Sequence, residues 1–367
     1  MATTDIKQGW KQADYDLVTG AGEQAVERGL AAAKWYHTDV DRLEMKALMQ
    51  RTDGPATRDA IIWLGLLLGL GGLAAWLTNV SGWLSVSVWL AYGVFAASAS
   101  DARWHECGHG TAFKTRWKNK AIYHLASFFL FRNPIAWRRS HSRHHSDTII
   151  VGRDPEIAYM RPPDFAVALL NIFGLSDGPA QISRMVRFAF GQRDPSVQSY
   201  VPEWEWPTVH RDARIHLAIH TASILLSLAL WTPIPVLLTT LPRFYGGWHM
   251  WLTGLTQHAG LADNVLDHRL NTRTVYMGVV NRFIYLNMNY HVEHHMFPNV
   301  PYHRLPALHE AIKHDLPAPN PSLWAALREI WPAMKRQLRY EDYWIKRELP
   351  PTAKPYRPEL HELQAAE

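Results

Sequence analysis

Three histidine clusters carry the most specific chemistry in the chain. They are His105-Glu106-Cys107-Gly108-His109, His141-Ser142-Arg143-His144-His145 and His291-Val292-Glu293-His294-His295; His258, after Gln257, brings the candidate histidines to nine. Histidine is the commonest metal ligand. With 20 histidines in 367 residues, HxxxH should arise about once by accident and HxxHH about 0.06 times. The first cluster alone therefore means little, whereas two copies of HxxHH are improbable by accident. Positions i, i+3 and i+4 share one face of a helix, so each cluster can aim two or three imidazoles at one point. Imidazoles suit Zn, Cu, Fe and Ni. Nine exceed the four places of a structural zinc site and are enough for two metals. Neutral rings leave the metal charge uncompensated, so carboxylates are expected behind them. The nearest in sequence are Asp101, Glu106, Asp147, Asp154, Glu156 and Glu293.

Two other readings compete. His105-Glu106-x-x-His109 also fits HExxH, in which two histidines hold zinc and the glutamate is a general base. A membrane zinc peptidase would leave both HxxHH clusters unused. A non-enzymatic metal transporter or sensor would account for many histidines, but transporter ligands usually lie near the bilayer midplane.

The elements that must position these residues are read from hydropathy and charge. Hydrophobic residues make up 47%, charged residues 19%, and the mean hydropathy is −0.20. That is too polar for a chain buried in a membrane throughout, yet the apolar runs are too long for an ordinary soluble core. No Lys, Arg, Asp or Glu occurs from Ala60 to Ser100. A spanning helix needs about 20 residues, so two spans are predicted, 60–78 and 83–99, turning at Thr78-Asn79-Val80-Ser81-Gly82. A second uncharged run, Ile215 to Pro242, and a third, Phe244 to Ala262, predict another hairpin over 215–232 and 234–252. The expected fold is an all-α integral membrane protein with two transmembrane helical hairpins, hence four spans, under a helical cytosolic cap. Residues 101–214 hold sixteen Lys and Arg against eleven Asp and Glu, so the turns are expected outside, and both termini and the histidines on the cytosolic side. All nine histidines then fall at one membrane face. Arg243 is the awkward residue: it either serves a buried site or marks a shorter hairpin.

The division expected is 1–57 as cytosolic amphipathic helices, 58–310 as the membrane domain and 311–367 as a cytosolic segment. Apolar spacing over 22–52 suggests one or two helices, broken by Asp53-Gly54-Pro55 before the first span. The stretch from Pro350 onward is expected to be irregular. No signal peptide is expected. The single cysteine, Cys107, excludes an intramolecular disulfide and a cysteine-bound iron–sulfur cluster. The 17 tryptophans suit membrane interfaces. His216 and His220 share a face of the third predicted span; the remaining histidines read as surface or packing residues.

The clusters, their order and the hairpins between them resemble the membrane fatty acid desaturase and hydroxylase superfamily, over about residues 58–310. The resemblance implies a non-haem di-iron centre held by His105, His109, His141, His144, His145, His258, His291, His294 and His295, using O2. Animal acyl-CoA desaturases place an Asn four residues before the histidine matching His258; here that residue is Gly254. The stretches His105-to-Lys114 and His141-to-Ile157 look closer to a bacterial branch that includes enzymes of rhizobitoxine and rhizopine metabolism and an arginine desaturase. The resemblance thus implies a double bond or hydroxyl introduced at an unactivated C–H site of an acyl chain or of a small amino-acid-like or amine substrate. Electrons would come from a separate ferredoxin-type donor and its reductase, since the sequence shows no dinucleotide loop, cysteine cluster or cytochrome b5 module. The basic balance (pI about 9.2) suits an acidic donor or anionic membrane lipid. No nucleic-acid partner is expected.

Overall fold

The structure, a computed structural model, describes residues 11–340 and 342–357. Among them every regular element is helical, with only two isolated β-bridges. The first apolar hairpin forms as expected. Its first helix is Gly54–Thr78 and its second runs from Gly82 to His109. These are the two helices among the described residues that are long and apolar enough to cross a membrane; a bent pair, Phe165–Phe173 with Asp177–Ala189 at 74°, makes a possible third. Their outward faces carry bare apolar side chains, including Leu68 at 79% and Trp83 at 90% exposure. So much apolar surface facing outward is what a lipid-covered helix presents.

Asp53-Gly54-Pro55 opens the first span rather than ending a preceding helix. Proline in the first turn of a helix has no amide hydrogen bond to lose, and it stands there in Gly54–Thr78. The preceding region is not one amphipathic helix. Two short helices, Gly22–Glu27 and Arg42–Leu48, flank a segment without helix. Gly29, at φ +71°, follows the first of them. Leu30 and Trp35 then bury themselves against Ile150 and Leu266, so packing replaces helical continuity.

A π-helical turn, Val94–Ser98, interrupts the second span just before the first histidine cluster. Such turns displace backbone carbonyls from the regular ladder. The Phe95 carbonyl accepts from Trp63 Nε1 across the hairpin at 2.9 Å. Ser98 Oγ donates to the Gly246 carbonyl at 2.7 Å and accepts from the Met250 amide at 2.9 Å.

The second predicted hairpin is built differently. Of the third span, expected over 215–232, residues 215–229 fall in a longer helix, Trp206–Ala229, whose first half carries Arg211, Asp212 and Arg214, and 230–232 lie beyond its end. The stretch 234–252, expected as one span, is not a single helix. It divides into Ile234–Thr239, Pro242–Tyr245 and the start of Trp248–His258. Pro242 and the pair Gly246-Gly247 fall at the breaks, because proline cannot complete the helical ladder and glycine holds it weakly. Carbonyls freed near the breaks are capped by tyrosine hydroxyls: Tyr92 donates to Leu238 O and Tyr245 to Leu237 O, both at 2.6 Å. Broken helices survive in apolar surroundings only when such groups are satisfied.

The two halves meet backbone to backbone. A Cβ on Gly246 would lie 1.9 Å from the Gly93 carbonyl carbon, whereas one on Gly82 meets nothing within 4 Å. Gly246→Ala is therefore expected to cost about 3 kcal/mol through overpacking. The check is a clear fall in the thermal midpoint in detergent for Gly246→Ala beside an almost unchanged Gly82→Ala. Equal midpoints would mean that the close approach does not hold the halves together.

From Pro350 to Arg357 the chain makes turns without helix, as expected; the remainder of that stretch lies outside the described residues.

Candidate metal centre

Four helices deliver the nine histidines. His105 and His109 occupy the last turns of the second span, which Gly110 ends in the left-handed conformation at φ +70°. The helix Pro134–Ser146 carries His141, His144 and His145. Its start is fixed by Pro134 and by the Asn133 side chain, which accepts from the amides of Ile135 and Ala136, a regular N-cap. His258 ends Trp248–His258, and His291–Met296 supplies the last three.

All nine rings converge, and they sort into two groups. In the first, His105, His109, His141, His145 and His294 each offer a ring nitrogen, all within 4.8 Å of one another. The second joins His144, His258 and His295 by the same measure. His291 belongs beside it: its Nε2 lies 3.1 Å from His295 Nε2, and its ring centre 5.1 Å from that of His258. The rings of His145 and His295 stack at 4.4 Å between the groups.

The backs of the rings are tied to fixed acceptors. Asp154 lies 2.8 Å from His144 Nδ1, and Glu156 the same distance from His141 Nδ1. The Asn271 carbonyl stands 2.8 Å from His258 Nδ1. A carbonyl can only accept, so that nitrogen bears the hydrogen and Nε2 keeps its lone pair. Thr148 Oγ1 is 3.3 Å from His295 Nδ1. Glu106 is fully buried, with Oε1 at 3.5 Å from His105 Nδ1 and 3.9 Å from His294 Nδ1.

The residues fit a metal. Burial and mutual repulsion hold His145, His258, His291, His294 and His295 well below the usual imidazole range, so their lone pairs are free. His105 Nε2 and His258 Nε2 are buried without a hydrogen-bond partner. The closest inward pairs, His109–His141, His145–His294, His291–His295 and His141–His145, stand 3.0, 3.1, 3.1 and 3.2 Å apart. Two imidazoles bound at about 2.1 Å to one metal at a right angle are about 3 Å apart. At His144 burial works downward, but Asp154 outweighs it and raises the ring. Burial would raise Glu156, but His141 overrides it and brings the carboxyl down to about 2.

Three of the six carboxylates expected behind the rings face elsewhere. Asp101 pairs with Arg132 at 2.6 Å. Asp147 pairs with Arg153 at 3.0 Å. Glu293 binds His309 Nδ1 and Thr274 Oγ1. In each case an arginine or another histidine competes successfully for the carboxylate. Sequence reasoning missed Asn271 and Thr148, one acting through an anonymous backbone carbonyl and the other through a hydroxyl. His216 and His220 pack on Phe128 rather than joining the cluster.

A cavity of about 550 Å³ reaches the rings of His105, His141, His144, His258 and His291. A second opening, of about 510 Å³, touches His105, His109, His141 and His145 beside Arg138 and Arg139. Arg243 lines the first cavity. It is 5% exposed and bound to Asp177 at 2.5 Å, which accounts for a charge amid an apolar run. Arg243→Leu is expected to destabilise by about 1–3 kcal/mol, less than a fully buried pair because Asp177 is partly exposed. Thermal inactivation in detergent checks this; an unchanged midpoint would show that the pair is idle.

The fatty acid desaturase family profile matches residues 81–327. The omega-3 fatty acid desaturase, chloroplastic, of Brassica napus is 27% identical over 68% of this chain and 65% of its own length. The sn-2 acyl-lipid omega-3 desaturase (ferredoxin), chloroplastic, of Arabidopsis thaliana is 28% identical over 70% of this chain and 60% of its own. The Delta(8)-fatty-acid desaturase of Euglena gracilis is 24% identical over 59% of each. The chain thus spans somewhat under two-thirds of the length of these curated relatives. With the profile covering more than half of the residues and enclosing all nine converging histidines, the chain belongs to the fatty acid desaturase family.

Proposed function

We propose that this protein is an O2-dependent, di-iron membrane oxidoreductase that introduces a double bond, or a hydroxyl, at an unactivated C–H site of an acyl chain or a small amine-like molecule. One iron would sit among His105, His109, His141, His145 and His294, and the other among His144, His258, His291 and His295. The observation that carries this reading is the pair of buried imidazole groups with inward nitrogens 3.0–3.2 Å apart. When bound, two ferrous ions supply the redox power that no side chain has. For desaturation the balance is one –CH2–CH2– unit, O2, two electrons and two protons giving –CH=CH– and two waters.

The chain's own residues position and shield. Asp154, Glu156 and the Asn271 carbonyl fix ring orientation and tautomer from behind, which raises ligand basicity. Trp104 and Tyr285 line the approach from the 550 Å³ cavity. The two electrons would come from a ferredoxin-type donor and its reductase; the Arabidopsis relative carries ferredoxin in its name. Four membrane crossings, with the histidines and both termini on the cytosolic side, agree with the first hairpin and the basic segment 101–214.

The peptidase reading is not favoured. A general base must face the position a substrate would take at the metal, but Glu106 lies on the Nδ1 side of His105 and accepts from the Tyr302 amide at 3.1 Å. Metal analysis of protein purified without added metal provides the test. Two irons per chain, with O2 consumption by the dithionite-reduced protein, are expected. One zinc and no iron would overturn the proposal.

A further inference from the structure

Asp154 and Glu156, the two carboxylates behind ligand rings, stand on a connection, residues 147–164, that holds neither helix nor strand. Connections usually run over the protein surface, where water serves their backbone. This one is buried at Asp147, Thr148, Ile150, Val151, Asp154 and Ile157. What lies across it is an N-terminal arm, made of the turn Gln12–Tyr15 and the chain that leads to the helix Gly22–Glu27. Tyr15 and Ala21 pack with Val151 and Ile157 in one small apolar cluster. The Tyr15 hydroxyl accepts from the Arg161 amide at 3.0 Å, and Gln12 Nε2 donates to the Pro162 carbonyl at 2.8 Å.

At the centre of this contact the two backbones touch. Gly152 takes φ +75°, a conformation that suits glycine, and a Cβ there would lie 2.4 Å from the Gly22 nitrogen. From the other side, a Cβ on Gly22 would lie 2.9 Å from the Gly152 carbonyl oxygen. Gly152 belongs to the turn that aims both carboxylates. The Asp154 amide closes that turn on the Ile150 carbonyl at 3.0 Å. The Asp154 side chain accepts from the Ile149 and Glu156 amides, each at 2.8 Å. Asn264 Oδ1 adds one further anchor, accepting from the Val151 amide at 2.9 Å. A close-packed contact of this kind transmits a displacement rather than absorbing it. The same segment continues into a lip of the 550 Å³ cavity, which Gln12 and residues 155–160 line.

We propose that Tyr15 and Gly22 are positioning residues for the metal centre. The N-terminal arm holds the turn 149–156 and so keeps Asp154 behind His144 and Glu156 behind His141, one ring of each histidine group. Carboxylates in such places govern metal retention. This rests on the two-iron reading above, but the hold of the arm on the turn can be measured apart from it. Gly22→Ala sets a Cβ against the Gly152 carbonyl without harming the helix that it starts. Tyr15→Ala withdraws the ring from Val151 and Ile157. Val18→Ala, at an exposed position of the same arm, is the control. In the full-length protein as purified in detergent, amide exchange over 149–156 is expected to quicken tenfold or more in Gly22→Ala and Tyr15→Ala. In the control it should stay within twofold of the unaltered protein. With iron loaded, the same two variants are expected to yield it to 2,2′-bipyridine at least tenfold faster. The near-infrared magnetic circular dichroism bands of their diferrous centre should also shift, as reoriented rings require; an arm that only added stability would leave those bands in place. The proposal is overturned if exchange over 149–156 is unchanged in both variants. It is equally overturned if exchange quickens while iron release and the bands match the control. Unfolding of both variants, with exchange rising alike along the chain, overturns it too, because the arm would then be part of the common core. If Gly22→Ala alone fails to fold, Tyr15→Ala decides. Absence of iron from the unaltered protein would instead sink the two-iron reading, and the exchange result would still judge whether the arm fixes the two carboxylates.

Discussion

Alanine at His294 or His144 abolishes oxidation while leaving the protein folded in detergent; that is the expected result. His294 is fully buried and offers its nitrogen to the five-histidine group, whereas His144 belongs to the four-histidine group. In the proposed assignment each substitution would remove one ligand from a different iron, so both test the two-metal reading. Lewis-acid and redox contributions of a bound metal are worth several kcal/mol, so activity should fall about a thousandfold or more. The fold should persist because the short helix His291–Met296 is held by Val292 and Met296 in a core shared with Tyr302 and Leu305. The measurements are turnover with an external electron donor, iron content, and circular dichroism to confirm folding. Full activity in either variant would refute the ligand assignment.

The second large effect is expected at Asp154, and it should exceed that of the analogous change at Glu156. One oxygen of Asp154 accepts from both His144 Nδ1 and the Ile149 amide, each at 2.8 Å. The other accepts from the Glu156 amide at 2.8 Å. Asparagine has one carbonyl and one NH2, so Asp154→Asn must set a donor against a donor whichever way it turns. Glu156 accepts from His141 on one oxygen and from the Ser140 hydroxyl on the other. A glutamine there can give its carbonyl to His141 and donate to the hydroxyl. Asp154→Asn is thus expected to lose about 10–100-fold in metal affinity and about 1–3 kcal/mol of stability, with Glu156→Gln milder on both counts. Iron titration and thermal unfolding of the two variants side by side provide the check. The reverse order would mean that these carboxylates do not set the ring orientations.

Much of the site was legible because helical geometry is local. The spacing in HxxHH requires a shared face, and the uncharged run from Ala60 to Ser100 requires a long apolar hairpin; both elements form. The stretch 234–252 misled because hydropathy counts side chains, whereas the breaks after Thr239 and Tyr245 are backbone events at Pro242 and Gly246-Gly247. Sequence proximity found Asp154 and Glu156, but it could not tell them from Asp147, which turns to Arg143 and Arg153. Asn271 was beyond reach, because every residue has a carbonyl and only packing decides which one meets His258.

By itself the sequence determined that eight of the nine imidazoles would lie in helical clusters, because residues three and four apart on a helix must be neighbours. Only the tertiary structure decided how they divide. In Pro134–Ser146, His141 and His145 join the five-histidine group and His144 the other; in His291–Met296, His291 and His295 join the four-histidine group and His294 crosses to the five. In each helix the i, i+4 pair serves one group and the i+3 ring the other. A single helix sets only the angle between its side chains, and the point where two such fans intersect exists only once the helices are packed.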